Sequence, residues 1–227
     1  MEHVLDNPAW NALLSGNSHL AFGNEHVKYF DEAVSPFVGL KENSGDYFQL
    51  LYDSLPDGRL ALLVTTTETA VPPPWKVVRA IHGFQMVCDA AVAPGGRHLE
   101  LIPLTHEHVP QMMELTKLTD PGPFAAKTID FGNYQGIFEN GQLVAMTGQR
   151  MQPFNYTEVS AVCTRPGYTG KGYARALLLN HLNSIRTAGQ VPFLHVRSDN
   201  GRAIRVYESL GFATRTDVWF YAMVKVR

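Results

Sequence analysis

The spacing of apolar residues is most regular in the second half of the chain, where it predicts alternating strands and helices. Residues 157–164 and 191–197 are rich in β-branched and apolar side chains, and each run predicts a strand. Between them, apolar residues recur at helical spacing and predict a helix over 171–188. The members of this stripe are Ala174, Leu177, Leu178, Leu182, Ile185 and Ala188. The alternation predicts an α/β fold built on a mixed sheet.

Weaker patterns complete the second half. Asn140-Gly141 predicts a hairpin turn, and Thr105 can cap a helix. His181 lies on the apolar face of the long helix, and we interpret it as packing at the edge of the core. The remaining predicted elements are strands over 98–104, 134–139, 142–150 and 219–226, and helices over 106–118, 129–133 and 200–210.

The first half has a less regular pattern. Asp6-Asn7-Pro8 can open a helix. Residues 47–55 fit either an amphipathic or an extended piece, and residues 60–66 predict a strand. Residues 75–87 fit a strand followed by a helix. This half therefore adds further α/β structure whose order the pattern does not define.

The chain of 227 residues is long enough for one large or two small domains. Pro94-Gly95-Gly96 interrupts it between the irregular and the regular half. We therefore predict an N-terminal extension domain over 1–97 and a second domain over 98–227.

Composition limits the partners and the compartment. Hydrophobic residues make up 45% and charged residues 18% of the chain, and the net charge is −2. These values predict a soluble protein that attracts neither nucleic acid nor an anionic membrane. The N-terminus has no basic and apolar leader, so we expect a cytoplasmic protein. Cys88 and Cys163 have no metal-binding spacing, so we expect no metal.

A glycine-punctuated turn from Gly167 to Gly172 joins the strand over 157–164 to the long helix. Such a turn directs backbone N–H groups and the positive end of the helix dipole at one point, which suits a phosphate or pyrophosphate. Lys171 and Arg175 add positive charge there. Neither G-x-x-x-x-G-K-[ST] nor G-x-G-x-x-G is completed.

The segment from Thr169 to Ala174, T-G-K-G-Y-A, resembles the pyrophosphate-binding pattern Q/R-x-x-G-x-G/A of the GNAT N-acetyltransferase superfamily, with Thr169 in place of the leading Gln or Arg. A second pattern of that superfamily, N-x-x-A-x-x-x-Y-x-x-x-G-F, matches Asn200, Ala203, Tyr207, Gly211 and Phe212. The resemblance covers residues 98–227 and is greatest to the branch related to glycine N-acyltransferases. It implies a GNAT fold there. The first half is then a packing and substrate-shaping domain or a degenerate second copy of the fold.

The resemblance also implies a set of residues that bind acetyl-CoA. A bulged strand would offer its backbone to the pantetheine arm, and the turn would hold the pyrophosphate. Carried over, the set is Val162, Cys163, Thr164, Thr169, Gly170, Lys171, Gly172, Tyr173, Ala174, Arg175, Asn200 and Tyr207. The N–H of Val162 or of its neighbour would stabilise the oxyanion, and Asn200 would also cap its helix. We interpret Cys163 as a packing residue and not as a nucleophile.

Three residues are candidates for proton transfer. Tyr207 would be the general acid, because a phenol with a pKa near ~10 is protonated at neutral pH and can protonate a departing thiolate. Glu158 lies eleven residues before Thr169, where the histone-acetyltransferase branch has a catalytic glutamate. In a half-buried strand its pKa would be raised, and it would act as base through a water. His195 is the alternative base.

The leading hypothesis is an enzyme that transfers acetyl from acetyl-CoA directly to the primary amine of a small molecule or amino acid. The alternatives are transfer of a longer acyl group, a peptide or protein N-terminus as acceptor, and a CoA-binding sensor without turnover. We expect a monomer or homodimer, with acceptor-binding residues around Pro121–Phe124 and in the first half.

Overall fold

The computed structural model describes residues 3–89 and 99–226. Within them, eleven strands form one mixed sheet in the order β1-β2-β3-β4-β11-β5-β10-β9-β8-β7-β6. The strands are β1 (Ala21–Gly23), β2 (Val27–Phe30), β3 (Phe37–Leu40), β4 (Ala61–Thr65), β5 (Trp75–Val87), β6 (Ile102–Pro103), β7 (Gln135–Glu139), β8 (Gln142–Gln149), β9 (Tyr156–Thr164), β10 (Val191–Arg197) and β11 (Ala213–Lys225).

Five α-helices cover this sheet in the part of the chain that the structure describes. They are α1 (Pro8–Leu14), α2 (Gly45–Ser54), α3 (Val109–Thr119), α4 (Tyr173–Thr187) and α5 (Gly201–Glu208). Pro8 opens α1, and the Ser44 hydroxyl accepts from the Tyr47 N–H at 3.4 Å ahead of α2. None of these described helices has the length and apolar content that a bilayer crossing requires.

Side chains on the two sides of the sheet form separate cores. Residues of α1 and α3, among them Leu13 and Met112, pack with Phe193 in one cluster. Residues of α4 and α5, among them Leu178 and Tyr207, pack in another. The helices after the glycine turn therefore lie on one side of the sheet, and α1 and α3 lie on the other.

Strand β5 belongs to the first half of the chain but lies between β10 and β11 of the second half. The prediction of a strand followed by a helix over 75–87 is wrong, because all thirteen residues form one strand that runs antiparallel to β11. The predicted boundary between residues 97 and 98 lies outside the described residues. Strands from both sides of it contribute to the same sheet.

Most other predicted elements are confirmed with small shifts at their ends. The segment 47–55 is the helix α2, and the hairpin turn at Asn140-Gly141 connects β7 to β8. The final strand begins at Ala213 instead of residue 219, because β5 provides a pairing partner along its whole length. Strand β6 is confined to Ile102–Pro103, and the His98 end of its predicted range lies outside the described residues.

His181 belongs to α4 and packs in the core, as predicted, with 2% of its surface exposed. Neither ring nitrogen has a hydrogen-bond partner among the described residues. Burial lowers the pKa of this imidazole to about 4. The residue is therefore a neutral core side chain.

Candidate active site

Strand β9 separates from β10 partway along its length. The two strands run parallel and pair from Tyr156 to Glu158 of β9, with no further pairs among the described residues. On the other side of β9, its register with β8 shifts between Met146 and Gly148. Ala161 has a φ of 52°, a left-handed conformation that is uncommon outside glycine and typical of strained positions. A bulge at Ala161 therefore accompanies a gap between β9 and β10.

The backbone after the bulge directs N–H groups into this gap. The Arg165 N–H donates to the Val144 carbonyl of β8 at 2.7 Å. Because N–H groups alternate in direction along a strand, those of Val162 and Thr164 point away from β8 and toward the gap. Cys163 instead pairs with Met146 of β8. Its backbone therefore faces β8 and not the gap, which differs from the prediction.

The turn before α4 is open on its outer side. Gly170 and Gly172 have φ values of 81° and 85°, and a Cβ built on either would meet no atom within 4 Å. Gly172 caps α4 without a side-chain hydrogen bond. The first N–H groups of the helix, at Tyr173 and Ala174, have no partner within the helix. This arrangement leaves room and donors for an anionic group.

The side chains around the turn add positive charge. Thr169, Lys171 and Arg175 are exposed. The Lys171 ammonium lies 4.5 Å from the centre of the Tyr168 ring, a cation–π distance. The Tyr173 hydroxyl donates to the Glu139 carboxylate and ties the first turn of α4 to β7.

Tyr207 on α5 faces the same region as the bulged strand. Its surface is 8% exposed, and burial, with a smaller contribution from the neighbouring Cys163 side chain, raises the pKa of its hydroxyl to about 12. Asn200 begins the helix, and its side chain accepts from the Ala203 N–H at 3.2 Å, which confirms the predicted cap.

Cys163 is 6% exposed, and burial raises the pKa of its thiol to about 12 despite hydrogen bonds with Thr119 and Met146. The thiol is therefore protonated at neutral pH. This environment agrees with the interpretation of Cys163 as a packing residue, because a nucleophilic cysteine requires a lowered pKa.

The environment of Glu158 differs from the prediction. Its side chain is fully buried, and the Arg150 guanidinium binds both carboxylate oxygens, at 2.8 and 2.6 Å. His195 Nδ1 lies 2.7 Å from Oε1. Burial raises the pKa, but Arg150 and then His195 outweigh it and lower the pKa of Glu158 to about 2. The expected raised pKa is therefore wrong, and Glu158 is a permanent carboxylate at neutral pH.

His195 is held between Glu158 and Gln85. Arg215 Nε donates to the Gln85 side-chain oxygen at 2.6 Å, so the Gln85 amide nitrogen faces His195 Nε2 at 3.0 Å. His195 Nε2 must then accept, and the ring proton is on Nδ1, toward Glu158. Since the side chain is 2% exposed and both ring nitrogens have partners, no ring nitrogen remains open to a ligand.

A cavity of about 430 Å³ lies along α3 and the loop that follows it. Its lining residues are Met113, Glu114, Thr116, Lys117, Asp120, Gly122 and Phe124. Glu114 pairs with Arg165, just past the end of β9, at 2.8 Å. The Phe124 ring meets the Tyr134 ring edge-on at 5.9 Å. The loop expected to border the acceptor thus borders a cavity near the bulged strand.

Sequence reasoning missed several residues of this region. Arg150 and Tyr134 lie at the ends of predicted strands. The one available signal for Arg150 was Glu158 itself, because a carboxylate in an apolar strand requires a cation nearby. Nothing in the pattern pointed to Gln85. In the described part of the chain, no group of three or more His, Cys, Asp or Glu residues is placed to hold a metal ion.

Comparison with known proteins bears on the class. The family model described as FR47-like protein matches residues 134–220. A crystal structure of a GNAT-family protein from Novosphingobium aromaticivorans covers 100% of both chains with 34% identity and a TM-score of 0.92. N-alpha-acetyltransferase RimI of Mycobacterium tuberculosis is 38% identical over 41% of this chain and 62% of its own length. The ribosomal protein bS18-alanine N-acetyltransferase of Salmonella typhimurium is 31% identical over 50% of this chain and 80% of its own length.

The chain therefore belongs to the GNAT acetyltransferase family, as the two sequence patterns predicted. It spans less than two thirds of the mycobacterial relative. The finer placement, in the branch related to glycine N-acyltransferases, stays a prediction.

Proposed function

We propose that the protein is an acetyl-CoA-dependent N-acetyltransferase whose acceptor is the primary amine of a small molecule or amino acid. The observation that carries this proposal is the bulge at Ala161, together with the gap that opens between β9 and β10 after Glu158. The N–H groups of Val162 and Thr164 point toward this gap, where β9 and β10 form no further pairs within the described residues, and the open turn of α4 follows directly in the chain. Family membership supports the same reaction.

The residues present fit acetyl-CoA. The open space over Gly170 and Gly172 would accommodate a pyrophosphate, which the N–H groups of Tyr173 and Ala174 and the cations Lys171 and Arg175 would bind. The Val162 and Thr164 backbones would pair with the pantetheine amides. When bound, acetyl-CoA supplies the acetyl group as a reactive thioester.

The Val162 N–H is the proposed donor to the oxygen that becomes negative as the amine attacks. A fixed backbone N–H in a water-poor gap stabilises such charge more than water does, because it needs no reorientation. The strained conformation at Ala161 holds this donor in place.

Tyr207 is proposed to transfer the proton in both directions. Its phenol gives a proton to the departing sulfur, and the resulting phenolate removes one from the nitrogen that has gained the acetyl group. The net result moves one proton from nitrogen to sulfur, as the overall reaction requires. A pKa of about 12 keeps the phenol protonated before reaction and makes the phenolate a strong base, so that removal of the proton from nitrogen offsets the unfavourable transfer to sulfur.

Glu158 and His195 are proposed to support the site without taking up the amine's proton. Glu158 neutralises Arg150 beneath the bulged strand, and its bond to His195 links β9 to β10 just where the two strands begin to separate. Both residues then set the geometry of the gap.

A peptide N-terminus is a second candidate acceptor. One relative is named as an N-alpha-acetyltransferase, and another is named as an alanine N-acetyltransferase of a ribosomal protein. The panel used to test the proposal therefore contains amino acids, small amines and an alanine-initiated peptide.

Release of free thiol from acetyl-CoA tests the proposed function. We expect release with at least one primary amine of the panel, and mass spectrometry of that amine should show one added acetyl group. Tyr207→Phe should reduce kcat by about a hundredfold or more, with nearly unchanged affinity for CoA. If CoA binds and no amine promotes thiol release, the protein is a CoA-binding sensor and the proposal is wrong.

A further inference from the structure

The hydroxyl of Tyr134, just before β7, is a buried polar group without a partner. The side chain is 3% exposed, and its oxygen has no hydrogen bond among the described residues. A buried hydroxyl in this state destabilises the folded protein, because the hydrogen bonds it makes to water in the unfolded chain are lost. Buried polar atoms without a partner are rare in proteins, and one that lies beside the candidate active site calls for an explanation.

The position of the ring relates it to the bulge. Gly148 of β8 pairs with Ser160 of β9, next to the bulge. A Cβ on Gly148 would lie 2.3 Å from two ring carbons of Tyr134 and 2.6 Å from the carbon that bears the hydroxyl. The Tyr134 ring therefore lies directly against the strand at this glycine, and its hydroxyl is held over the Gly148–Ser160 pair.

We propose that the Tyr134 hydroxyl oxygen accepts a hydrogen bond from the acceptor's primary amine and thereby positions the nitrogen beside the bulged part of β9. The inference rests on the proposed acetyltransferase function and adds a positioning residue to it. Ser160 lies two residues from Glu158 along β9, so the hydroxyl is on the sheet face that carries Glu158.

The charge state of the group suits this role. Burial is the main cause that raises the pKa of Tyr134, so the phenol stays neutral. A neutral oxygen accepts an N–H bond without stabilising the ammonium form, whereas a carboxylate at this place would keep the amine protonated and unreactive. The carboxylate of Glu158, close enough to influence the phenol, is already neutralised by Arg150.

The cavity along α3 lies next to Tyr134. Phe124 belongs to the cavity lining, and its ring contacts the Tyr134 ring edge-on. Entry of an amine from this cavity requires the Phe124 ring to move aside, so we expect an acceptor with its primary amine at the end of a slender chain.

Tyr134→Phe tests the inference, because it removes the unpartnered oxygen and little else. We expect a melting temperature equal to or above that of the wild type, and unchanged affinity for CoA. The value of kcat/KM for the amine should fall by about five- to tenfold, which corresponds to one lost hydrogen bond. Tyr221→Phe is the matched control: its hydroxyl accepts from the Thr69 N–H at 2.9 Å, and its loss should lower stability and leave kcat/KM unchanged.

Turnover and equilibrium binding are both measured in full-length protein with CoA present, using glycine, alaninamide, tyramine and an alanine-initiated peptide as probes. Weaker amine binding by Tyr134→Phe supports the inference even if the wild type binds amines without transferring acetyl, an outcome that overturns only the proposed function. If Tyr134→Phe binds the amine as tightly as the wild type and has the same kcat/KM, the inference is wrong and the proposed function stands. A wild type that neither binds nor acetylates any probe overturns both.

Discussion

At the scale of single residues, the ion pair between Glu158 and Arg150 is the feature that most changes the chemistry expected from the sequence. Both side chains are buried, and removal of one partner leaves the other charge uncompensated. We expect Glu158→Gln to lower the free energy of unfolding by about 3–5 kcal/mol. Urea unfolding at pH 7 measures this loss, with the exposed Glu68→Gln as a control that should change little.

The same residue gives a pH dependence of stability. The pKa of Glu158 is about 2 in the folded protein, against an ordinary value of 4.5 for a glutamate side chain. Its contribution is therefore fully present above pH 4.5 and is lost as the pH falls toward 2. Between pH 4.5 and pH 2, the free energy of unfolding should fall less in Glu158→Gln than in the wild type.

The opposite result would contradict our assignment. A Glu158→Gln variant that is as stable as the wild type but inactive would point to Glu158 as a proton acceptor.

Residue patterns predicted the parts of the site that depend on local sequence. The turn from Thr169 to Ala174 and the cap at Asn200 each follow from neighbouring residues, and the structure places them as expected. The charge state of Glu158 depends on Arg150 and on His195, which is oriented by Gln85 and Arg215 from two further strands. Such contacts join residues far apart in the chain, so no local pattern contains them.

At the scale of elements, the glycine turn and its helix allow a controlled test of cofactor binding. Gly170 before α4 and Gly189 after it have φ values of 81° and 74°, and an added Cβ would meet no atom within 4 Å at either position. Gly170→Val and Gly189→Val should therefore lower stability similarly, by about 1–2 kcal/mol each, through backbone strain alone.

The two variants should differ in binding. Only the valine at residue 170 would occupy the space assigned to the pyrophosphate, so we expect its dissociation constant for CoA to rise at least about tenfold, equivalent to ~1.4 kcal/mol. Calorimetric titration with CoA measures this, beside a thermal melt of each variant. Equal affinity in both variants would show that the turn does not bind the cofactor.

Strands were harder to predict than helices where pairing with a strand far away in the chain determines the local conformation. Residues 75–87 are rich in Val, Ile, Phe and Met, and this composition fitted a strand followed by a helix. The whole segment is a strand because β11 pairs with it from end to end. The bulge at Ala161 also left no mark in the sequence, since alanine rarely adopts a positive φ.

At the scale of the whole molecule, the position of β5 makes the two halves of the chain interdependent. β5 pairs with β10 through residues 83–87 and with β11 along its full length. A fragment of residues 98–227 would retain both signature patterns but would lack the strand between β10 and β11. Two long strand edges would then be exposed, a condition that favours aggregation.

We therefore expect the fragment 98–227, expressed alone, to be insoluble or to show no cooperative unfolding transition. Co-expression with residues 1–97 should restore a soluble complex that binds CoA, because the missing strand is then supplied in trans. Size-exclusion chromatography and thermal melts monitored by circular dichroism measure both outcomes, with the intact chain as reference. A fragment 98–227 that is monomeric, melts cooperatively and binds CoA with the affinity of the intact chain would show that β5 is dispensable. The first half of the chain would then contribute only to binding of the acceptor, and the sheet would be stable without it.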